Sequence, residues 1–225
     1  MTREIETINL GGVNCYLVKA GEGYILIDTG FSSKRAYLEK ELESAGVLPG
    51  NLTLIILTHG DSDHADNSAY LREKYGAKIT MHLDDSGMVE NGDMSWNRKS
   101  KPDKVSITFR IMTMIFSGLN KPGNFNTFKP DFYIGDGQSL SEYGFSAEVL
   151  HLPGHSKGSI GILATSGELF CGDLFYNFAG FNFIDDLADF KASINKLKNL
   201  KIKTVYPGHG KPFPMSSSKW IRKGL

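Results

Sequence analysis

The sequence has little cysteine, no net charge and no long apolar run, and each absence argues against a class of protein. Its 225 residues include only two cysteines, Cys15 and Cys171, so we expect no disulfide framework and predict a reducing cytoplasm. Acidic and basic residues number 25 each, which gives no reason to expect nucleic-acid or membrane partners. No run approaches the roughly 20 apolar residues of a membrane span, and the charged N-terminus lacks the apolar stretch of a signal peptide.

The length and the ordinary hydrophobic content predict a single domain over residues 1–225. Apolar runs alternate with segments of helical spacing, which is typical of an α/β fold. Strands are predicted at Asn14–Lys19, Tyr24–Asp28, Leu52–Thr58, Lys78–His82, Ala147–Leu152, Ser159–Thr165, Glu168–Cys171 and Lys203–Tyr206. Helices are predicted at Lys34–Ala45, Ala65–Tyr75 and Asp186–Leu200.

Residues 84–130 interrupt this alternation and are predicted to form a helical lid inserted over a pocket. The most apolar part of the insertion, Val105–Leu119, is too short to cross a bilayer. We expect this stripe to pack under the lid, to line a pocket for an acyl group, or to form the contact of a homodimer.

Four potential metal ligands are packed into six residues between His59 and His64, in the order His-Gly-Asp-Ser-Asp-His. Imidazole and carboxylate groups are the ligands that zinc and iron prefer. On an extended backbone alternate side chains share a face, so His59 and Asp61 are expected to point the same way. Asp63 and His64, at the turn into the next helix, are expected to aim at a second point nearby.

Three single ligands follow downstream: His155 in Leu-Pro-Gly-His, Asp173 in Cys-Gly-Asp, and His209 in Pro-Gly-His-Gly. Each lies where a predicted strand ends. One such residue alone is typical of a turn or a helix cap. Seven together behind strand-like runs instead predict a site for two divalent metal ions, with the two oxygens of Asp173 suited to bridging them.

The chemistry predicted from this site is hydrolysis. Two cations a few ångströms apart lower the pKa of a shared water from about 15.7 toward ~7, so a bridging hydroxide exists at neutral pH. The same cations polarise a carbonyl or phosphoryl oxygen. Asp63 is a candidate catalytic residue, because its carboxylate could receive a proton or orient the nucleophile.

These residues resemble the metallo-β-lactamase fold superfamily, whose signature is His-x-His-x-Asp-His followed by a later His, an Asp and a final His. The resemblance begins at Asn14–Val18 and Leu26–Gly30 and runs to Gly208-His209-Gly210. It implies an αβ/βα four-layer sandwich, with two sheets face to face, helices outside and the metals at one edge. It also implies which residues bind each ion: His59, Asp61 and His155 for one, Asp63, His64 and His209 for the other, and Asp173 between them.

One position departs from that signature, because residue 61 is aspartate where the usual pattern has histidine. A third carboxylate makes the loaded site less positive and suits iron or manganese better than an all-histidine site, although zinc remains the first expectation. A carboxylate here also resembles the flavodiiron proteins, which reduce oxygen or nitric oxide. Those proteins need a flavodoxin domain as electron donor, so di-iron oxidoreductase is the alternative function and not the first one.

Tyr176 lies three residues after Asp173. In the N-acyl homoserine lactonases of the same superfamily, a tyrosine at this offset helps to polarise the substrate carbonyl, and the resemblance implies that catalytic role for Tyr176. The function expected is therefore a hydrolase of a small ester, thioester or lactone. A metal-binding module without turnover is the remaining alternative, and zero net charge disfavours a nucleic-acid substrate.

Overall fold

The fold is a sandwich of two β-sheets with helices on both outer faces, seen in a computed structural model that describes residues 5–108, 110–111, 125–177 and 183–218. The strands are β1 Ile5–Asn9, β2 Asn14–Ala20, β3 Gly23–Ile27, β4 Leu52–Ile56, β5 Lys78–Met81, β6 Lys104–Val105, β7 Phe132–Tyr133, β8 Ala147–His151, β9 Ile160–Ala164, β10 Glu168–Asn177, β11 Phe183–Ile184, β12 Thr204–Gly210 and β13 Phe213–Pro214. The helices are α1 Arg35–Ser44, α2 Ser62–Ala65, α3 Ser68–Tyr75, α4 Ser86–Asn91 and α5 Leu187–Lys198. Short 3-10 turns cover Ser32–Lys34, Leu83–Asp85, Ser141–Tyr143 and Met215–Ser217.

The first sheet has the strand order β1-β2-β3-β4-β5-β7, and the second has the order β13-β12-β10-β9-β8. β1, β2 and β3 are antiparallel, whereas β3, β4, β5 and β7 run parallel. In the second sheet β10 is parallel to β12 and antiparallel to β9. A separate two-stranded ribbon joins β6 to β11 and so ties residues 104–105 to the segment that follows β10.

Three hydrophobic clusters separate the four layers, which confirms the predicted αβ/βα sandwich. β4 shows how one strand serves two of them, since Ile55 packs toward α1 and α3 whereas Leu54 and Ile56 pack between the sheets. The continuous apolar run is therefore explained by burial on both faces of the sheet. The third cluster lies between the second sheet and α5, where Phe190 and Ile194 are buried.

The helix predicted over Ala65–Tyr75 is in fact two helices, α2 and α3, that meet at Asn67. The buried Asn67 amide donates hydrogen bonds to the carbonyl oxygens of Thr29, at 2.8 Å, and Phe31, at 3.0 Å. These bonds fix the loop after β3 against the break between the helices. Helical spacing alone does not reveal such a break, because the apolar positions keep their period across it.

Much of the proposed lid, residues 109 and 112–124, lies outside the described residues, and with it most of the Val105–Leu119 stripe. The described part of residues 84–130 begins with a 3-10 turn and α4 and continues in a segment that reaches the metal-ligating motifs. Among the described residues, no helix is long and apolar enough to cross a bilayer. The lid and the single-domain boundaries stay predictions.

Candidate metal centre

The predicted ligands lie at one edge of the sandwich, where both sheets contribute to the same place. From the first sheet, β4 leads to His59 and then to α2, which carries Asp63 and His64. Asp61 caps the start of α2 with its backbone, since its carbonyl oxygen accepts the amides of residues 64 and 65. Asp61 therefore ends an extended segment, and the helix turns the next two ligands toward a different point.

The second sheet supplies the other three ligands, and two of its strands are longer than predicted. His155 lies in the loop between β8 and β9. The strand predicted to end at Cys171 continues to Asn177, so Asp173 and Tyr176 lie within β10 and not after it. Gly172 has a φ of 49°, and its pairing with β12 is shifted there, which re-aims Asp173. β12 likewise extends through His209.

Six of the seven side chains converge on two adjacent positions, and the seventh, Asp61, lies beside the first of them. Ligand atoms of His59, His155 and Asp173 lie within 4.8 Å of one another, and so do those of Asp63, His64 and His209. The Asp173 oxygens face both groups: Oδ1 is 3.4 Å from His64 Nε2, whereas Oδ2 is 3.2 Å from His209 Nε2 and 3.9 Å from His155 Nε2. This placement suits a carboxylate that bridges two ions.

Each of the four histidines has its Nδ1 occupied by a neighbour, so that Nε2 is presented to the centre. Nδ1 lies 2.9 Å from Asp28 Oδ2 in His64, 3.0 Å from Thr58 Oγ1 in His59, and 2.8 Å from the Gly12 carbonyl oxygen in His209. In His155 the neighbour is the Tyr176 hydroxyl at 3.1 Å. Outer hydrogen bonds of this kind fix the orientation of metal-binding imidazoles.

Three of the buried ligand atoms lack a hydrogen-bond partner among the described residues: Nε2 of His59, Nε2 of His64 and Oδ1 of Asp173. A buried polar atom left without a partner costs roughly 1–3 kcal/mol, so such atoms are rare and normally have an explanation. All three point into the space that the seven ligands enclose. Divalent ions bound there would satisfy them, and the donor set therefore fits a metal centre.

The charges around the centre also favour cations. Burial alone would lower the pKa of His64, but the carboxylates of Asp63, Asp173 and Asp28 raise it to about 9. A histidine pKa raised by surrounding acids indicates an excess of negative charge in a place with little water. Metal ions are the partners that buried carboxylates of this density usually take.

Asp61 lies beside the first group but has a second partner that the sequence did not reveal. Its Oδ2 is 2.9 Å from His155 Nε2 and 3.4 Å from His59 Nε2. Both of its oxygens also accept hydrogen bonds from Arg98, at 2.7 and 2.8 Å. Burial raises the pKa of the Asp61 carboxyl, but the Arg98 guanidinium and the histidine hydrogen bonds hold it well below its usual range.

Tyr176 lies inside the ligand cluster. Its hydroxyl donates to Asp173 Oδ2 at 2.9 Å, and its ring stacks on that of His209 at 5.6 Å between centroids. Burial and the adjacent Asp173 raise the pKa of this hydroxyl well above its ordinary value, so it remains a hydrogen-bond donor at neutral pH. The position is compatible with the predicted catalytic role.

Sequence reasoning missed the residues that support the ligands. Asp28 holds His64 and adopts a left-handed φ of 60°, unusual for a residue other than glycine, while its Oδ1 accepts the amide of Thr58 at 2.8 Å. Asp85 is fully buried and accepts from the Gly158 amide at 2.7 Å and the Ser156 hydroxyl at 2.5 Å. The apolar run that ends in Asp28 predicted a strand but not the contact with His64. Arg98 and Asp85 lie in no recognisable sequence motif.

Two histidines that the sequence analysis left out of the metal site also lie together. The rings of His82 and His151 stack at 4.2 Å between centroids with an angle of 4° between planes. His151 Nε2 lies 2.8 Å from the carbonyl oxygen of Lys157. They lie outside the seven-ligand cluster.

A four-layer sandwich with metal ligands at one edge is the architecture of a class of metallohydrolases. Residues 8–209 match the sequence profile of the Metallo-beta-lactamase superfamily. The chain belongs to this superfamily, which confirms the resemblance drawn from the motifs.

Similar proteins occur in bacteria, archaea and animals. The hydroxyacylglutathione hydrolase GloC of Haemophilus influenzae is 28% identical over 179 residues, which cover 78% of this chain and 73% of that protein. The probable metallo-hydrolase MJ0888 of Methanocaldococcus jannaschii is 28% identical over 88% of this chain and 87% of its own. A 24% identical relative, the Drosophila melanogaster Beta-lactamase-like protein 2 homolog, is longer, and the match covers 60% of it.

Solved structures agree with the fold. TTHA1623, crystallised in a di-iron-bound form, superposes with a TM-score of 0.66 at 26% identity, covering 94% of each chain. BJP-1, a subclass B3 metallo-beta-lactamase of Bradyrhizobium japonicum, superposes with a TM-score of 0.68 at 20% identity over 92% of this chain and 75% of that one. At 20% identity, the likeness to BJP-1 shows a shared fold and carries no information about activity.

Gly208 offers a direct test of the metal centre. A Cβ at this position would overlap Asp173 Oδ1 and lie 2.8 Å from His64 Cε1. We expect Gly208→Ala to displace these two ligands and to weaken metal binding by about 10–100-fold, the range seen when the support of a ligand is lost. Isothermal titration of the metal-free protein with zinc measures the change.

The matched control is Gly135→Ala, because a Cβ there would meet nothing within 4 Å. This variant should bind zinc as the unaltered chain does. Equal zinc affinity in the Gly208 and Gly135 variants would contradict the placement of the metals beside Asp173 and His64.

Proposed function

We propose that this protein is a hydrolase that uses two divalent metal ions to cleave a small ester, thioester or lactone. The observation that carries the proposal is the convergence of six ligand side chains on two adjacent positions with Asp61 beside the first, and three buried ligand atoms lack any other partner among the described residues. A metal site that only stabilised the fold would be closed to solvent, whereas 24% of the Asp63 side chain is exposed to it.

The residues proposed to hold the ions are those already placed at the edge of the sandwich. His59, His155 and Asp61 would hold one ion, Asp63, His64 and His209 the other, and Asp173 would bridge them. When bound, two divalent cations lower the pKa of a water toward neutrality and polarise the carbonyl oxygen of a substrate.

The chain's own residues would carry out the remaining steps. Asp63 is the most exposed of the three ligand carboxylates, with 24% of its side chain accessible against 17% for Asp61 and 5% for Asp173. It is therefore the carboxylate best placed to take a proton from the attacking water and to return it to the leaving group. The Tyr176 hydroxyl would donate a hydrogen bond to the oxygen on which negative charge develops.

An acyl substrate is favoured by two observations. One relative, GloC, is named for the hydrolysis of hydroxyacylglutathione. In addition, apolar side chains of the insertion are exposed, with Trp96 at 42%, Ile107 at 76% and Ile111 at 54%. These side chains could contact the acyl part of a small molecule or a second copy of the chain. A nucleic-acid partner has no support from the balanced charge.

Zinc is the ion proposed first, and iron has a specific argument in its favour. TTHA1623, the 26% identical relative, was crystallised with two iron ions. Three carboxylates among seven ligands also suit iron or manganese. Metal identity and activity therefore have to be measured on the same sample.

The experiment is elemental analysis of protein purified without added metal, combined with hydrolysis of a lactone, a thioester and a phosphodiester by that sample. Two zinc or manganese ions per chain with turnover of the lactone or thioester is the expected result. The seven-ligand centre predicts the stoichiometry, and the carbonyl chemistry predicts the substrate preference.

The alternatives give different outcomes. Iron without turnover of any substrate, together with a visible charge-transfer band, would favour the di-iron oxidoreductase. Two bound zinc ions without any turnover would indicate a metal-binding module. Absence of stoichiometric metal would contradict the centre itself.

Tyr176→Phe tests the role proposed for the hydroxyl. The variant keeps the ring stacked on His209 and removes the hydroxyl, which also contacts His155 Nδ1 and Asp173 Oδ2, so zinc is supplied in excess to keep the centre loaded. At equal metal content, kcat on the best substrate should fall about tenfold or more. Steady-state kinetics and elemental analysis measure the two quantities.

Tyr206→Phe is the control, since Tyr206 lies on the neighbouring strand and packs against Tyr16 and Phe170 away from the ligands. Its kcat should match that of the unaltered chain. A kcat unchanged in Tyr176→Phe would make that hydroxyl structural.

A further inference from the structure

Arg98 is a largely buried cation inside the proposed metal centre, and the proposed reaction assigns it no part. It belongs to the segment that follows α4, and only 13% of its side chain is exposed. Its two terminal nitrogens bond both oxygens of Asp61, and Nη1 also donates to the Met94 carbonyl oxygen at 3.1 Å. The guanidinium carbon lies 5.3 Å from the centre of the Phe183 ring. Arg98 is thus held on several sides at a fixed place.

The guanidinium occupies space next to the atoms that would bind the first ion. Nη2 is 3.2 Å from His155 Nε2 and 2.8 Å from Asp61 Oδ2. Zinc binds imidazole nitrogen and carboxylate oxygen at roughly 2.0–2.2 Å, so an ion that touches these two atoms lies in the immediate neighbourhood of Nη2. An arginine cannot release its proton to relieve the repulsion, because its pKa is too high.

The second position has no such competitor in the part of the chain that the structure describes. Within the described ranges, the ion-pair partners of Asp63 and Asp173 are all histidines. Among the described residues, no lysine or arginine lies within ion-pairing distance of either carboxylate. The two positions therefore differ in local charge although their ligand types are similar.

We propose that Arg98 competes with the metal ion at the first position for the Asp61 carboxylate. The second position then fills first, and the first position fills only as the guanidinium withdraws from Asp61. Arg98 is in this sense a positioning residue that sets the order and the affinity of metal loading. The inference rests on the proposed metal centre and adds an asymmetry that the ligand set alone does not predict.

The test is a calorimetric titration of the metal-free, full-length chain with zinc. A second sample, loaded with zinc and dialysed, is measured by elemental analysis. For the unaltered chain we expect one tightly bound ion and a second bound about a hundredfold more weakly, because unlike local charges separate the two affinities. Arg98→Met removes the competing charge and keeps much of the side chain's length. It should bring the two dissociation constants within about tenfold of each other, so that both ions leave together on dialysis against a chelator, whereas the unaltered chain loses one ion first.

Lys99→Met is the matched control, since it removes a positive charge from the next residue without touching Asp61. Lys99 Nζ pairs instead with Asp103 at 2.7 Å and Asp186 at 3.0 Å. This variant should keep the roughly hundredfold ratio of zinc dissociation constants expected for the unaltered chain. Arg98→Lys retains the charge but loses the two-pronged contact, so the ratio of its two zinc dissociation constants should be intermediate.

Thermal unfolding followed by circular dichroism shows whether Arg98→Met folds, and if it does not, Arg98→Lys decides the question. The role of Arg98 would be overturned, with the metal centre left intact, by either of two results. One is equal zinc affinity at both positions in the unaltered chain, and the other is a ratio of dissociation constants that no Arg98 variant changes. Failure of the unaltered chain to bind any zinc would instead overturn the centre, and this inference with it.

Discussion

Several carboxylates are buried at one point of this fold, and the residues around them are arranged to compensate their charge. Asp28, Asp61, Asp63 and Asp173 meet at the edge where the two sheets face each other, and two of them are almost fully buried. Like charges in a place with little water are unfavourable unless cations compensate them. Histidines, Arg98 and, in our proposal, two metal ions supply that compensation, which joins the stability of this edge to its chemistry.

The sandwich brings these groups together because each sheet delivers part of the set. Contacts near β2 fix the two sheets relative to each other: Val13 pairs with His209, and the Tyr16 hydroxyl donates to the Pro207 carbonyl oxygen at 2.6 Å. The amide of Ile160 also donates to the Thr58 carbonyl oxygen at 2.8 Å, directly before His59. The ligands are therefore held by backbone contacts at short range, as a preorganised site requires.

Most of the architecture and all seven proposed ligands could be predicted from the chain, because strand-length apolar runs and the ligands that follow them are local signals. The break at Asn67 and the extension of β10 through Tyr176 could not, since both depend on partners distant in sequence. Arg98 was hidden for the same reason. It lies in an irregular segment without periodicity, and only the folded chain places it against Asp61.

In our proposal, this edge of the sandwich holds two metal ions in distinct environments. Anomalous diffraction from crystals grown with excess zinc and measured across the zinc absorption edge tests it most directly. We expect two peaks, one among Asp63, His64 and His209 and a weaker one beside His59 and His155, both next to Asp173. A single peak elsewhere, or none at this edge, would contradict the proposed two-ion centre.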